Sequence, residues 1–167
     1  DIIEKNRVAV FSSNYTLYGD MSQRVMNTLS GFTPEIEIYS IDEAFLSLHG
    51  FTHYNLLEYG HKIRSVTTQN TGIPISIGIA RTKTLAKVAN HFAKKQPNYG
   101  GVCLLGSEAE RVEALKHFEI GEVWGIGRQY NKLLNRYGVS TAYDFTKLPT
   151  EWVRRHMSVV GLRTQKE

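Results

Sequence analysis

EIEIYSIDEAFLSL, residues 35 to 48, decides how the first half of this chain folds. Two alternating apolar segments, EIEIYSI and AFLSL, enclose Asp42 and Glu43, and the pattern predicts a β-hairpin with the acids between its strands. Successive strand residues face opposite sides, so both carboxylates reach one space only where the backbone bends tightly. A solvated hairpin tip is the plain alternative. Against it, the flanks are apolar and aromatic, and the usual turn formers Gly, Asn and Pro are absent. Paired oxygen ligands suit a hard cation, first of all Mg2+, which keeps several waters and bridges carboxylates to phosphates.

Working outward, VAVF at 8–11 predicts a short strand, and Ser12-Ser13-Asn14 offers caps for a helix ending before Gly31 and Pro34. Leu17, Met21, Val25 and Leu29 recur every four residues as its buried stripe. Beyond the hairpin and Gly50, residues 54–69 predict an amphipathic helix with Leu56, Tyr59, Ile63 and Val66 inward and Gly72 as its stop. IPISIGIA, residues 73–80, predicts a third clear strand. Thr82 can cap the helix TKTLAKVANHFAKK, and VCLL after Gly100-Gly101 predicts a further strand. This order predicts an α+β fold with helices on one face of an antiparallel or mixed sheet, of the βαββαβ, ferredoxin-like kind. After about residue 105 only short helices follow, at 107–118, 128–137, 141–147 and 150–157. A second, all-helical domain is therefore expected from residue 106.

Composition narrows the chemistry. The 167 residues are 41% hydrophobic, with no repeat, no low-complexity tract and no apolar run near the roughly 20 residues of a membrane span. A soluble, cytoplasmic protein is expected. Cys103 is the only cysteine, which excludes an internal disulfide and a multi-thiolate metal site. His49 and His53 stand four apart with Gly50 between them, and loop surface is expected there. A net charge of +4 is compatible with a polyanionic partner.

Stepping about 100° per residue along the helix from Lys83 puts Lys87, Asn90 and Lys94 within about 40° of it, with Leu85, Val88, Ala89 and Phe92 opposite. A solvated face is one reading of that stripe. No acid within the stripe relieves the lysines, however, and phosphate would. In VWGIGRQYNKLLNRYGV, residues 123–139, Gly125 and Gly127 flank Ile126 ahead of a helix beginning near Arg128. This is a helix-hairpin-helix pattern, in which glycines let the backbone approach a nucleic-acid phosphate at a helix N-terminus. Arg128 and Lys132 would add sequence-independent contacts. A plain helical turn is the alternative, and Trp124 is expected to pack.

The acid pair, the lysine stripe and the GIG turn, in this order, resemble the Y-family translesion DNA polymerases. FSSNYTLYGDMSQRVM, EIYSIDEAFLSL, GIARTKTLAKVANHFAKK and VWGIGR are similar to the UmuC-type catalytic subunits of DNA polymerase V in particular. The resemblance covers nearly the whole chain, and SIDEA with TKTLAKVAN is its most specific part. It implies a palm over 1–105, with residues 1–7 as the tail of the fingers, and a thumb with the helix-hairpin-helix over 106–167. It also implies that the first palm strand with its metal-binding aspartate, the fingers and the little finger lie outside these residues. Asp42 and Glu43 then match the family's second acidic motif, which holds two Mg2+ ions, and Ser40 and Ile41 complete that motif with no assigned task. Lys94 matches the lysine on the incoming triphosphate. Lys83 and Lys87 are phosphate-facing helpers, an assignment that rests more on the stripe than on the family.

The implied reaction is template-directed transfer of a deoxynucleotide to a primer 3′ oxygen, in an error-prone SOS polymerase acting in DNA damage repair. Primer-template DNA and deoxynucleoside triphosphates are the implied partners, with a UmuD-type subunit, RecA and the sliding clamp as regulators. The 167 residues alone are expected to be inactive and to expose a sheet edge prone to self-association. Two rivals remain: a non-catalytic helix-hairpin-helix DNA-binding module, which leaves the acid pair unexplained, and a nucleotidyl cyclase-like palm, which has no use for the GIG turn.

Overall fold

A computed structural model describes residues 2–167 of the protein. The elements in order are α1 (Ile2–Lys5), α2 (Tyr15–Leu29), β1 (Ile36–Ile38), β2 (Ala44–Leu46), α3 (Leu56–Thr71), β3 (Ile77–Ile79), α4 (Lys83–Lys95), β4 (Val102–Leu104), α5 (Glu108–Lys116), α6 (Arg128–Arg136), α7 (Ala142–Thr146) and α8 (Thr150–Lys166). The predicted caps form. Asn14 and Thr82 accept backbone N–H bonds from Leu17 and Leu85, and Gly72 ends α3 in the left-handed region at φ 74°.

The predicted hairpin also forms, antiparallel, with Ile36 opposite Leu46 and Ile38 opposite Ala44. The strands then depart from expectation. Among the described residues β1–β2 and β3–β4 are two separate pairs, the second parallel, rather than one sheet. No described strand lies between them to carry the ladder across. An open groove of about 920 Å³, lined from both pairs, separates them instead. VAVF is no strand: residues 8–14 are irregular, with Val10 71% and Phe11 86% exposed, because no described strand edge pairs with them. For the same want of cover the N-terminal half of α2 is bare. Leu17 stands 52% exposed, and burial falls on Met26 and Leu29. The third strand shrinks to three residues behind Pro74, which has no N–H to donate.

Helix α4 holds the two halves together. Leu85, Val88, Ala89 and Phe92 are buried as predicted, and their cluster runs on through Leu115, Ile120, Leu134, Val153 and Met157. The larger core therefore straddles residue 105, where the texture of the sequence changes. A smaller core under the β-hairpin joins Met26, Leu29 and Ile63.

Two of the helices after residue 105 begin on reciprocal caps. Ser107 and Glu110 cap α5, and Thr141 and Asp144 cap α7. Hydrogen bonds from Ser107 hold the Glu110 carboxyl below its ordinary range, and those from Thr141 do the same to Asp144. A depressed folded pKa gives stability that is present above the unfolded carboxylate range, about 4, and lost as pH falls through the folded value. Melting temperature is thus expected to fall on acidification below about pH 4, and Glu110→Gln with Asp144→Asn to flatten that dependence. Thermal melts followed by circular dichroism across this range check it.

Candidate active site

The tip of the β-hairpin is built by backbone and serine rather than by glycine. Tyr39 and Ser40 N–H groups both donate to the Glu43 carbonyl at 3.0 Å. Ser40 Oγ donates to Asp42 Oδ1 at 2.7 Å and accepts from the Asp42 N–H at 3.3 Å. Ser40, which the sequence leaves without a task, therefore sets the aspartate; its place two residues ahead of an acid in a turn is the signal that could have revealed it. The resulting bend lets Asp42 and Glu43 line one space, the groove between the strand pairs.

The facing wall of the groove is α4. Lys83, Ala86, Lys87 and Asn90 line it, at the helical spacing that the stripe predicts. β3 lies directly against this helix: a Cβ on Gly78 would come within 2.1 Å of the Ala86 carbonyl oxygen. The lysines are not left to repel each other, as the sequence suggests. Lys83 pairs with Glu37 on β1, and Lys87 Nζ donates to both Glu43 oxygens at 2.9 Å. Acids from another element, not the helix itself, relieve the stripe. Lys94 stands exposed one turn past Asn90, outside the residues lining the groove and about 16 Å along the helix from Lys83.

Two further features escape a residue-by-residue reading. Asn90 Oδ1 is buried without a hydrogen-bond partner in the groove wall. An aromatic group also packs on the acid hairpin: the Trp124 indole N–H donates to the Tyr39 hydroxyl at 3.2 Å, with Tyr39 5.3 Å and Phe45 5.7 Å from its ring. Trp124 packs, as expected, but onto the acid hairpin. Neither partner is near it in sequence, so no local pattern announces the contact.

The glycine turn lies beside this indole. Gly125 adopts φ 94°, which demands glycine, whereas a Cβ on Gly127 would meet open space. Ile126 is buried, and α6 starts at Arg128 with no side chain capping its first N–H groups. The element before the turn is one 3₁₀ turn, Ile120–Glu122, in place of a longer helix. Arg128 and Lys132 are exposed. His49 and His53 are exposed as well, as their loop setting predicts.

Residues 2–91 match the IMS model, the impB/mucB/samB family. The chain belongs to the impB/mucB/samB family. It is 44% identical over 165 residues to protein UmuC of Salmonella typhimurium, covering 98% of this chain and 39% of that protein. It is 34% identical over 152 residues to DNA polymerase IV of Dehalococcoides mccartyi, covering 89% of this chain and 38% of the relative. The family member described here thus spans about two fifths of these relatives. Among solved structures, DinB from Sulfolobus solfataricus superposes with a TM-score of 0.78 at 24% identity, over 98% of this chain and 48% of that one. The mixed fold of helices and small sheets is accordingly similar to that of Y-family polymerase domains, a Y-family DNA polymerase chimera among them. No described helix is long and apolar enough to cross a membrane.

Proposed function

We propose that this chain supplies the palm, residues 1–105, and the thumb, residues 106–167, of a Y-family translesion DNA polymerase that performs template-directed nucleotidyl transfer. One observation carries the proposal: Asp42 and Glu43 line a groove whose opposite wall is a lysine-bearing helix face, and the glycine turn's tryptophan packs on the hairpin that bears them. The donor set, two carboxylates with an unpartnered amide oxygen at Asn90 nearby, fits Mg2+, which binds through one or two carboxylates plus phosphate oxygens. Bound there, metal ions would supply charge for the attacking and leaving oxygens of the displacement.

The chain's own residues do the rest. Ser40 orients Asp42, Lys87 neutralises Glu43 until it is needed, and Lys83 and Lys87 offer ammonium groups to a triphosphate. Lys94 extends that track toward the far phosphates. Gly125, Ile126 and Gly127 bring the N-terminus of α6 to a DNA backbone phosphate, with Arg128 and Lys132 beside it. Among the described residues no third ligand completes a metal cluster with the acid pair. An extended strand in the groove between the two strand pairs, bearing one more carboxylate, would complete it and join both pairs into one sheet. Without such a strand, Asp42 and Glu43 alone give no measurable extension, and the open edge is a route to self-association. A role in the SOS response, with a UmuD-type subunit, RecA and the sliding clamp as partners, belongs to the same proposal.

Primer extension with Mg2+ and deoxynucleoside triphosphates by the full-length protein tests this reading. Incorporation supports it; DNA binding with no incorporation would instead favour a non-catalytic binding module. Arg128→Ala with Lys132→Ala is expected to weaken duplex binding equally across sequences and to reduce the salt slope of log K by about 2. Fluorescence anisotropy at several salt concentrations measures it.

A further inference from the structure

Lys87 and Trp124 are joined in a way that polymerase chemistry alone does not require. The Lys87 ammonium engages both oxygens of Glu43 at 2.9 Å, and it lies 5.2 Å from the Tyr39 ring and 5.3 Å from the Trp124 ring. A cation that takes Glu43 needs the same oxygen lone pairs, and a dication repels an ammonium at that range. The displaced ammonium already has a second seat over two aromatic faces, where cation–π attraction holds it. The indole that forms this seat is not free to drift. Its N–H is bonded to the Tyr39 hydroxyl at 3.2 Å, and Val123 and Ile126 on either side of Trp124-Gly125 are buried.

We propose that Lys87 is an exchangeable counter-ion of Glu43, displaced by the incoming cation onto the Tyr39–Trp124 rings, and that Trp124 is a positioning residue linking the glycine turn to that exchange. This rests on the functional reading above and adds a coupling to it. A duplex that moves the turn moves the indole, alters the seat open to Lys87, and so alters the availability of Glu43. By linkage, cation binding changes duplex affinity by the same factor.

The chain contains two tryptophans, so 5-fluorotryptophan labelling gives two 19F resonances, assigned by Trp124→Phe or, independently, by Trp152→Phe. Trp152 packs with Tyr137 and His156 and serves as the internal control. Titration with MgCl2 is expected to move the Trp124 resonance and leave Trp152 in place, and Glu43→Gln to abolish the movement. Lys87→Met, or Lys87→Gln, is expected to lower the MgCl2 midpoint about fivefold, the equivalent of ~1 kcal/mol for a partly exposed ion pair. Calorimetric binding of Mg2+ with an immobile Trp124 resonance and an unchanged midpoint in the Lys87 variants would overturn the coupling while leaving the acid pair as a metal site. Absence of Mg2+ binding in calorimetry would overturn the coupling, and primer extension by the full-length protein tests the acid pair separately.

Discussion

Asp42→Asn in the full-length protein is expected to slow primer extension by at least ~100-fold, the scale on which loss of one charge-stabilising group acts in an enzyme. The change is nearly isosteric and leaves the tip intact. The amide keeps an oxygen for the Ser40 hydroxyl, which bonds Asp42 Oδ1 at 2.7 Å, and the position is exposed, so stability should move by no more than about 0.5 kcal/mol. What disappears is one negative charge facing the groove. Asp42 is the cleaner test of the pair, since Glu43→Gln also takes a charged partner from Lys87. Single-turnover extension at saturating DNA measures the effect, with duplex affinity and melting temperature as controls. Extension within a few fold of the parent would remove Asp42 from the proposed metal site.

Gly78→Ala is expected to destabilise the chain by about 3 kcal/mol or more, a drop of roughly 6–12 °C in melting temperature for a domain of this size. A Cβ there would stand 2.1 Å from the Ala86 carbonyl oxygen, 2.2 Å from the Asn90 nitrogen and 2.8 Å from the Ala89 carbonyl carbon. All three are backbone atoms of α4, so no side chain can swing aside; β3 must lift from the helix. Since α4 carries both the lysine wall and part of the larger core, the damage reaches the site and the fold together. Gly19→Ala is the control. It lies within α2 with nothing inside 4 Å of its added Cβ, and it should gain about 0.5–1 kcal/mol. An unchanged melting temperature for Gly78→Ala would mean that strand and helix pack less closely than they stand here.

Much of this molecule is written in short range. Period-2 alternation around Asp42 and Glu43 reveals the β-hairpin, and period 3.6 reveals α3 and α4 with their buried faces. Asn14, Thr82 and Gly72 mark helix ends because capping needs only the next turn of backbone. The acid pair and the glycine turn are legible for the same reason: each is a contiguous run whose chemistry lies in its own residues. VAVF misleads on this count, since a short apolar run gives the propensity for a strand and not the neighbour that must complete one.

What the linear chain alone determined, then, is which segments coil or extend, which face of each is apolar, and which residues carry charge into a turn. Only the tertiary structure decided which acids meet which lysines, that two strand pairs stand apart across a groove, that one core runs past residue 105, and that Trp124 reaches Tyr39. The physical reason is distance along the chain. The Lys87–Glu43 pair spans 44 residues and the Trp124–Tyr39 bond spans 85, and contacts of that range depend on how elements pack, which no local period records.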